Sequence, residues 1–249
     1  MNNASIVIYY MEENFLQKAT DPHQYDSAAM NWEKEGLKDS PTRLFFQEYL
    51  KDNLDVSGKN IVDIGSGMGQ LFPLLKQLGA AGIKGIEPSV HNVEVSKKLY
   101  PDVEIFTGTL QEAPETEKYQ AAASVMVFEH ISNLPEAFAK ISKILATDGR
   151  LYLVVADRNY SLTPRFDYDM VIANNEDGSA VVKTTRPLGV IYDILRPLED
   201  YIAAAGQQGF ILEKSVPLLP NKVLISKESK YQEFSDHAIA HLLILKKID

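Results

Sequence analysis

The chain has 249 residues, a formal net charge of -9 and no cysteine. Disulfides, thiolate metal sites and cysteine nucleophiles are therefore excluded, and the acidic balance disfavours nucleic acid and anionic membranes as partners. The length allows one large α/β domain or two small ones, with enough hydrophobic residues for a sizeable core. No stretch approaches 18 apolar residues, and no basic leader precedes the apolar run Ile6–Met11. We expect a cytoplasmic protein with no membrane partner and no metal ion.

The first part of the chain, residues 1–58, is predicted to form a helical N-terminal extension. Aromatic side chains such as Tyr25 recur there at spacings that suit helices. Ser40 followed by Pro41 is typical of an N-cap and a first-turn proline. These two residues predict a helix from Pro41 to Leu50.

The next stretch, from Asn60 to Gln70, reads N-I-V-D-I-G-S-G-M-G-Q. Its apolar run predicts a buried strand that carries one acid, Asp63, and the apolar residues after Gln70 have helical spacing. Between the strand and the helix stand three alternating glycines, Gly65, Gly67 and Gly69. Glycine permits backbone conformations and close approaches that other residues resist, so we predict a turn at which a ligand contacts the main chain.

Strands and helices alternate from this turn onwards. The further predicted strands are 83–87, 103–106, 121–128 and 151–155, and the helices are 70–78, 90–100 and 134–145. Strands connected through helices require right-handed crossovers and form a parallel sheet that is covered on both faces. The pattern therefore predicts an α/β fold.

Residues 157–192 interrupt this alternation. Within them, Met170–Ala173 and Ala180–Thr184 flank a polar segment and predict an inserted β-hairpin. A helix is then expected at 197–208, and strands at 210–216 and 240–245. We find no linker or repeat and predict a single domain over residues 1–249.

The spacing of the glycines bears on which cofactor the turn accepts. Dinucleotide sites use G-x-G-x-x-G, whereas this turn has G-x-G-x-G, with Gln70 at the place of the third glycine of the dinucleotide pattern. Asp63 precedes the first glycine by two residues, where a carboxylate would not help to bind a pyrophosphate. The turn therefore favours a cationic ligand, and an NAD-dependent oxidoreductase is the alternative.

The segment Val62–Gly69 resembles the first motif of the class I S-adenosylmethionine-dependent methyltransferases. Glu87, 22 residues after Gly65, stands where the acid of that family accepts hydrogen bonds from the ribose hydroxyls. Val125–Ile131 resembles the hydrophobic-Glu-His signature of the family, and His241–Lys247 resembles its last strand.

This resemblance implies a seven-stranded, mostly parallel Rossmann-like sheet with helices on both faces and an antiparallel last strand. It also implies S-adenosyl-L-methionine as the cofactor. At Thr109 many relatives carry an acid that contacts adenine, and Leu110 can offer its backbone N–H there. The residues expected to bind the cofactor are Tyr25, Asp63, Gly65, Ser66, Gly67, Gly69, Glu87, Pro88, Thr109, Leu110 and Met126.

The acceptor half of the site is less defined by the resemblance. His130 is the candidate general base, a role weighed equally against a structural one. The insertion at 157–192 is expected to act as a lid over the acceptor pocket. We predict methyl transfer to a small-molecule acceptor, with a non-catalytic S-adenosylmethionine-binding protein as a further alternative. The sequence predicts no oligomeric state.

Overall fold

The computed structural model describes residues 7–9, 14–24, 26, 40–164, 169–186 and 189–248. The strands, in chain order, are β1 (Val7–Tyr9), β2 (Asn60–Ile64), β3 (Gly82–Glu87), β4 (Glu104–Thr107), β5 (Tyr119–Val125), β6 (Leu145–Ala156), β7 (Asp169–Asn174), β8 (Ala180–Arg186), β9 (Gly189–Leu195), β10 (Phe210–Leu218) and β11 (Ala240–Lys247). The helices are α1 (Asn14–Ala19), α2 (Pro41–Asn53), α3 (Phe72–Gln77), α4 (Val90–Leu99), α5 (Leu134–Ile144), α6 (Arg158–Leu162), α7 (Leu198–Gly206) and α8 (Lys222–Lys227). Short 3₁₀ turns cover Phe128–His130 and Ser229–Phe234.

Seven strands form one large sheet in the order β10-β11-β6-β5-β2-β3-β4. The pairs around β2 are parallel, as are β3 with β4 and β5 with β6. The last strand, β11, lies antiparallel between β6 and β10. The predicted α/β architecture, with its mostly parallel sheet and antiparallel last strand, is therefore confirmed.

Successive side chains of a strand point to opposite faces of the sheet, and both faces of this sheet carry apolar residues. Helices therefore cover both faces. Val62 and Ile64 face the core that α5 and α7 complete, whereas Ile61 faces the core under α2, α3 and α8. The helix α5 shows how the sequence determines such an element. Its N-cap Asn133 accepts a hydrogen bond from the N–H of Glu136, and its buried residues recur at helical spacing.

The insertion forms part of a second sheet with the order β1-β7-β8-β9. The hairpin of β7 and β8 is confirmed, and its turn is closed by hydrogen bonds between Asn175 and Ser179. The sequence did not predict β9, which extends the inserted structure to Leu195. It also did not predict β1, which pairs parallel with β7, so the N-terminal extension is not wholly helical.

The second sheet is covered by α1 on one face. Phe15 of α1 packs edge-on against Tyr192 of β9, with ring centroids 5.4 Å apart. Phe15 and Ala19 share a small buried cluster with Ala173, Val181 and Ile194 from three strands. The start of the chain and the insertion therefore pack on each other. No helix in the described ranges is long and apolar enough to cross a membrane.

Candidate active site

The glycine turn lies at the carboxyl end of β2 and is tied to the neighbouring strand. The N–H groups of Gly65 and Ser66 both donate to the carbonyl of Ile86, at 2.8 and 3.1 Å. Gly65 has a φ of +70°, and a Cβ built on it would lie 2.3 Å from Cγ2 of Val127. The turn can therefore form only with bare backbone at this position.

Glu87 lies opposite the turn at the end of β3. Its side chain is 5% exposed and accepts hydrogen bonds from the N–H of Gly67 (2.8 Å), the N–H of Ser89 (3.0 Å) and the amide of Asn92 (3.1 Å). Burial raises the pKa of Glu87, and these three donors act in the opposite direction. The carboxyl group is consequently held in one orientation beside the turn.

Asp63 is the second acid of this region and is 3% exposed. It lies in β2 between Gly85 of β3 and Ala123 of β5. Burial, together with the charge of Glu87, raises the pKa of Asp63 to about 8. A buried acid is costly unless a charge or a hydrogen bond compensates it, which favours a role for Asp63 at a site.

A cavity of about 820 Å³ opens above the glycine turn and reaches the second sheet. Its lining combines the turn and the two acids with side chains of β8 and β9 and with residues that precede α2 or lie in it. The residues that line it on the side of the second sheet and the N-terminal extension are Asp21, Pro22, Gln24, Ser40, Thr42, Arg43, Phe46, Gln47, Leu50, Val182, Thr184, Ile191, Asp193 and Leu195. One cavity thus contacts both halves of the predicted site.

Most of the predicted site residues meet at this cavity. Those that line it are Asp63, Gly65, Ser66, Gly67, Glu87, Pro88, Met126 and His130. Gly69 does not line it, and a Cβ there would lie 2.7 Å from both Ser96 Oγ and Tyr100 Cδ2, so its backbone permits close packing with α4. Tyr25 lies outside the described residues.

Thr109 and Leu110 also lie away from the cavity lining. The N–H and the hydroxyl of Thr109 both donate to Oε2 of Glu112, each at 2.8 Å, and Leu110 is buried in the core. The preceding residue, Gly108, donates its N–H to the carbonyl of Glu87 at 3.0 Å. The segment that carries Thr109 and Leu110 therefore begins beside Glu87, the acid expected to bind the ribose. A contact of Thr109 and Leu110 with the cofactor stays a prediction.

Met126 directly follows β5 and lines the cavity. Its φ is +57°, an uncommon conformation for a residue with a side chain, and its N–H donates to the carbonyl of Val154 at 2.9 Å. The strand predicted at 121–128 was therefore wrong at its end, since β5 stops at Val125 and a 3₁₀ turn follows. Backbone strain of this kind is concentrated at functional sites.

The 3₁₀ turn contains Glu129 and His130, and the two side chains have different surroundings. Glu129 is 1% exposed, and its Oε1 accepts the N–H of Ala156 at 2.6 Å. Burial raises the pKa of Glu129 to about 7. This acid therefore links the turn to β6.

His130 lies between the large sheet on one side and the N-terminal extension and β9 on the other. Its Nδ1 is 3.2 Å from Nε2 of Gln24, and its Nε2 is 3.7 Å from Oδ1 of Asp193. Burial lowers the pKa of His130, although the charge of Asp193 opposes this. Sequence reasoning missed Gln24 and Asp193 as site residues, because neither belongs to a motif and both approach His130 only through the tertiary fold.

Asp157, which directly follows β6, binds groups other than His130. Its Oδ1 accepts the N–H of Tyr160 at 2.7 Å and caps α6, while Oδ2 lies 2.9 Å from Nε2 of His241. Burial alone would raise the pKa of Asp157, but the hydrogen bonds from His241 and Tyr160 outweigh it and lower that pKa. Asp157 therefore acts as a cap rather than as a partner of His130.

Comparison with known proteins agrees with this geometry. A family model described as a methyltransferase domain matches residues 32–182, which is more than half of the chain. The chain belongs to the class I S-adenosylmethionine-dependent methyltransferase family. Membership in this family implies an S-adenosylmethionine site and disfavours the NAD-dependent oxidoreductase that the glycine spacing had left as an alternative.

Individual relatives of this methyltransferase are distant. It is 24% identical over 140 residues to a ubiquinone biosynthesis O-methyltransferase of Neisseria meningitidis, covering 51% of this chain and 58% of the relative. It is 31% identical over 127 residues to a ribosomal protein L11 methyltransferase of Dictyoglomus turgidum, covering 48% and 39%. The chain thus spans about half the length of the curated relatives it matches.

The fold of the methyltransferase is also found among solved structures. An S-adenosylmethionine-dependent methyltransferase of Mesorhizobium loti superposes with a TM-score of 0.64 over 80% of this chain and 96% of that chain. The two sequences are 18% identical, so the likeness concerns the fold. The conserved architecture places the glycine turn at the carboxyl edge of the sheet, where open α/β folds bind ligands.

A buried arginine fixes the 3₁₀ turn of the methyltransferase from the far end of β9. Arg196 is 8% exposed and donates to the carbonyls of Phe128 (3.2 Å), Ile131 (2.6 Å) and Ser132 (3.0 Å). Its planar, forked guanidinium can satisfy several carbonyls at once. The inserted strand and the turn that carries His130 are therefore one hydrogen-bonded unit.

We expect Arg196→Met to lower the free energy of unfolding by about 3 kcal/mol, because it leaves buried carbonyls without their donor. Chemical denaturation measures the change. Arg150→Met is the matched control, since Arg150 pairs with Glu213 at 2.7 Å at a partly exposed site and should matter by less than about 1 kcal/mol. Equal losses of unfolding free energy in the two variants would show that the hydrogen bonds of Arg196 to the 3₁₀ turn do not stabilise the fold.

Proposed function

We propose that this protein transfers a methyl group from S-adenosyl-L-methionine to a small-molecule acceptor. The observation that carries the proposal is the continuous cavity that joins the glycine turn to the second sheet. A volume of about 820 Å³ lies in the range of sites for small molecules and cofactors. The cofactor and the acceptor would occupy its two ends.

The residues at the glycine end fit the cofactor. Gly65 and Gly67 present bare backbone to the cavity, and the anchored carboxyl group of Glu87 can accept hydrogen bonds from a ribose. Ser66 Oγ and Asn92 Oδ1 are buried polar atoms without partners among the described residues, and polar atoms of this kind normally have one. Asp63 would place a negative charge near a cationic ligand.

S-adenosylmethionine supplies a methyl group on a positively charged sulfur, which keeps the bonding electrons when the methyl group leaves. The chain's contribution is to align the acceptor and to exclude water, and no nucleophilic side chain of the protein is needed. Alignment of this type is worth several orders of magnitude in rate. Contact of Met126 and Pro88 with the cofactor belongs to the same proposal.

The other end of the cavity supports a small acceptor with an apolar body. Val182, Ile191 and Leu195 supply apolar walls from β8 and β9, while Thr184 and Asp193 supply polar groups. The curated relatives include enzymes of quinone synthesis and of ribosomal protein methylation. We favour the small molecule because this chain's own second sheet and N-terminal extension line the cavity, where a protein acceptor would need access.

Calorimetry with S-adenosylhomocysteine and mass spectrometry of the purified protein test the cofactor half. Labelled S-adenosylmethionine with metabolite extracts then tests the acceptor half. Binding without transfer to any small molecule or protein would support the remaining alternative, a non-catalytic S-adenosylmethionine-binding protein. Failure to bind S-adenosylhomocysteine would overturn the proposal.

We expect Ile191→Phe to abolish acceptor methylation while S-adenosylhomocysteine binds within about threefold of wild type. Ile191 is 5% exposed and lines the cavity from β9 of the second sheet, so a larger ring there fills the proposed acceptor space. Val190→Phe is the control, because Val190 is the adjacent residue, 39% exposed, and faces the opposite side of β9. Methylation that survives Ile191→Phe would show that the acceptor binds elsewhere.

A further inference from the structure

Residues 20–24 and 26 of the N-terminal extension connect the second sheet to the cofactor side of the cavity, and we call them the crossing segment. The amide nitrogen of Gln24 donates to the carbonyl of Ala19, at the end of α1, at 2.8 Å. The side-chain oxygen of Gln24 accepts the N–H of Tyr192 in β9 at 3.2 Å. The crossing segment also lines the cavity, through Asp21, Pro22 and Gln24. One end of it is therefore bound to the strand that supplies the proposed acceptor wall.

The other end of the crossing segment is bound beside Glu87. Oδ1 of Asp26 accepts the hydroxyl of Ser89 at 2.5 Å. Ser89 is fully buried and is the N-cap of α4, and its N–H donates to Oε1 of Glu87 at 3.0 Å. The hydroxyl oxygen of Ser89 accepts the N–H of Asn92 at 3.3 Å, so its own proton is available to Asp26. A single residue therefore links the crossing segment to the acid that is expected to bind the ribose.

The hydrogen bond of Asp26 and its charge act on Glu87 in opposite ways. The hydrogen bond fixes the side chain of Ser89, and the N–H of the same residue orients the carboxyl group of Glu87. The charge works against the ionised acid: burial is the largest cause that raises the pKa of Glu87, and the nearby carboxylate of Asp26 raises it further. A neutral oxygen in the place of the Asp26 carboxylate would therefore keep the orientation of Glu87 and favour its ionised form.

We propose that Asp26 is a positioning residue of the cofactor site, which acts through Ser89 on Glu87 and makes cofactor binding and the docking of the crossing segment favour each other. This inference rests on the proposed methyltransferase function and adds to its cofactor site a residue that belongs to no motif of the sequence. Glu87 binds the ribose best in the orientation that the docked crossing segment provides. Because such coupling is reciprocal, a bound cofactor also holds the crossing segment, and with it Gln24, at the wall of the proposed acceptor space.

Calorimetry with S-adenosylhomocysteine tests the role of Asp26 without any acceptor. We expect Asp26→Ala to weaken binding about tenfold, which lies in the usual range of coupling between two sites. Asp26→Asn keeps an oxygen that accepts the hydroxyl of Ser89 and should bind at least as tightly as wild type. An affinity of Asp26→Asn as low as that of Asp26→Ala would overturn the proposal.

His23→Ala is the matched control within the crossing segment. The ring of His23 meets the other oxygen of Asp26, with Nδ1 3.2 Å from Oδ2, and its side chain is 64% exposed. Loss of an exposed contact of this kind should change the affinity for S-adenosylhomocysteine less than about twofold. A loss as large as that of Asp26→Ala would show that the binding of Asp26 to Ser89 is not the decisive contact and would overturn the proposal.

A double-mutant cycle with Glu87→Gln determines whether Asp26 acts through Glu87. In the Glu87→Gln background, Asp26→Ala should weaken S-adenosylhomocysteine less than about threefold further, because the group that Asp26 positions is already lost. A second loss of about tenfold would show that Asp26 acts independently of Glu87 and would contradict the positioning role.

Hydrogen exchange measured by mass spectrometry follows the crossing segment itself. Saturating S-adenosylhomocysteine should slow exchange at residues 14–24 in wild type and Asp26→Asn but not in Asp26→Ala, whereas residues 60–70 should be protected in all three. Thermal unfolding shows whether Asp26→Ala is folded, and if it is not, wild type and Asp26→Asn decide. Unchanged exchange at residues 14–24 in the liganded wild type would overturn the coupling alone. Absence of S-adenosylhomocysteine binding in wild type would refute the methyltransferase function and this inference with it.

Discussion

Gly65→Ala is expected to weaken S-adenosylhomocysteine binding at least about 100-fold. The new Cβ would lie 2.3 and 2.9 Å from the two methyl groups of Val127, distances at which either the turn or the strand end must move. The φ of +70° adds a backbone cost of about 1–2 kcal/mol for a residue with a side chain. Calorimetry gives the affinity, and thermal unfolding of the unliganded protein shows how much fold stability is lost with it.

Gly58→Ala is a control that separates these two causes. Gly58 has the same φ of +70°, but no atom lies within 4 Å of the position that its Cβ would take. It should therefore show only the backbone cost and normal binding. In Gly65→Ala, the further change Val127→Ala removes the clashing methyl groups and should recover part of the affinity. Equal binding by the two glycine variants would mean that the turn does not hold the cofactor.

The glycine turn and the alternating sheet could be predicted because their signals are local. Asp63, Gly65 and Gly67 stand within five residues, and the spacing of apolar residues distinguishes strands from helices. The distance from Gly65 to Glu87 is also fixed by a single crossover between adjacent parallel strands. Such features survive in a single sequence because each depends on a few neighbours along the chain.

The acceptor side could not be predicted in the same way. Gln24, His130 and Asp193 meet only because the N-terminal extension and β9 pack together above the large sheet. Each is an ordinary polar residue in its own segment, and no spacing rule relates positions more than 60 residues apart. The second sheet was recognised only as a hairpin, because no strand was predicted at residues 189–195.

The turn after β5 illustrates a third limit. Its apolar run predicted a continuous strand to Phe128, but Met126 adopts a φ of +57° and ends the strand early. Methionine carries no preference for this conformation, so composition could not reveal it. Two tertiary contacts hold the segment after β5 in place: Val127 packs against Gly65, and Arg196 donates hydrogen bonds to the backbone of the 3₁₀ turn. Tertiary contacts therefore override the local preference here.

Asp63→Asn should have opposite effects on stability and on binding. The folded pKa of Asp63 is raised from 3.8 to about 8, so between these values the folded chain holds a proton that the unfolded chain has released. Stability from this group is complete below about pH 4 and is lost as pH rises through 8, by about 1.4 kcal/mol per pH unit. Asparagine stays neutral, so the unliganded variant should be more stable than wild type at pH 8, by a few kcal/mol, and similar to it near pH 4.

Binding should respond in the other direction, because the cofactor brings the positive charge that an ionised Asp63 can meet. We expect Asp63→Asn to weaken S-adenosylmethionine more than S-adenosylhomocysteine, by at least about tenfold for the former. Denaturation curves from pH 4 to 8 and calorimetry with both ligands measure the two effects. Asp102→Asn is the control, since Lys76 lowers the pKa of this exposed acid and no gain in stability at high pH is expected. If Asp63→Asn were less stable than wild type at pH 8, Asp63 would support the fold rather than the cofactor. The predicted result would show that Asp63 lowers the stability of the unliganded protein and is retained because its charge helps to bind the cofactor.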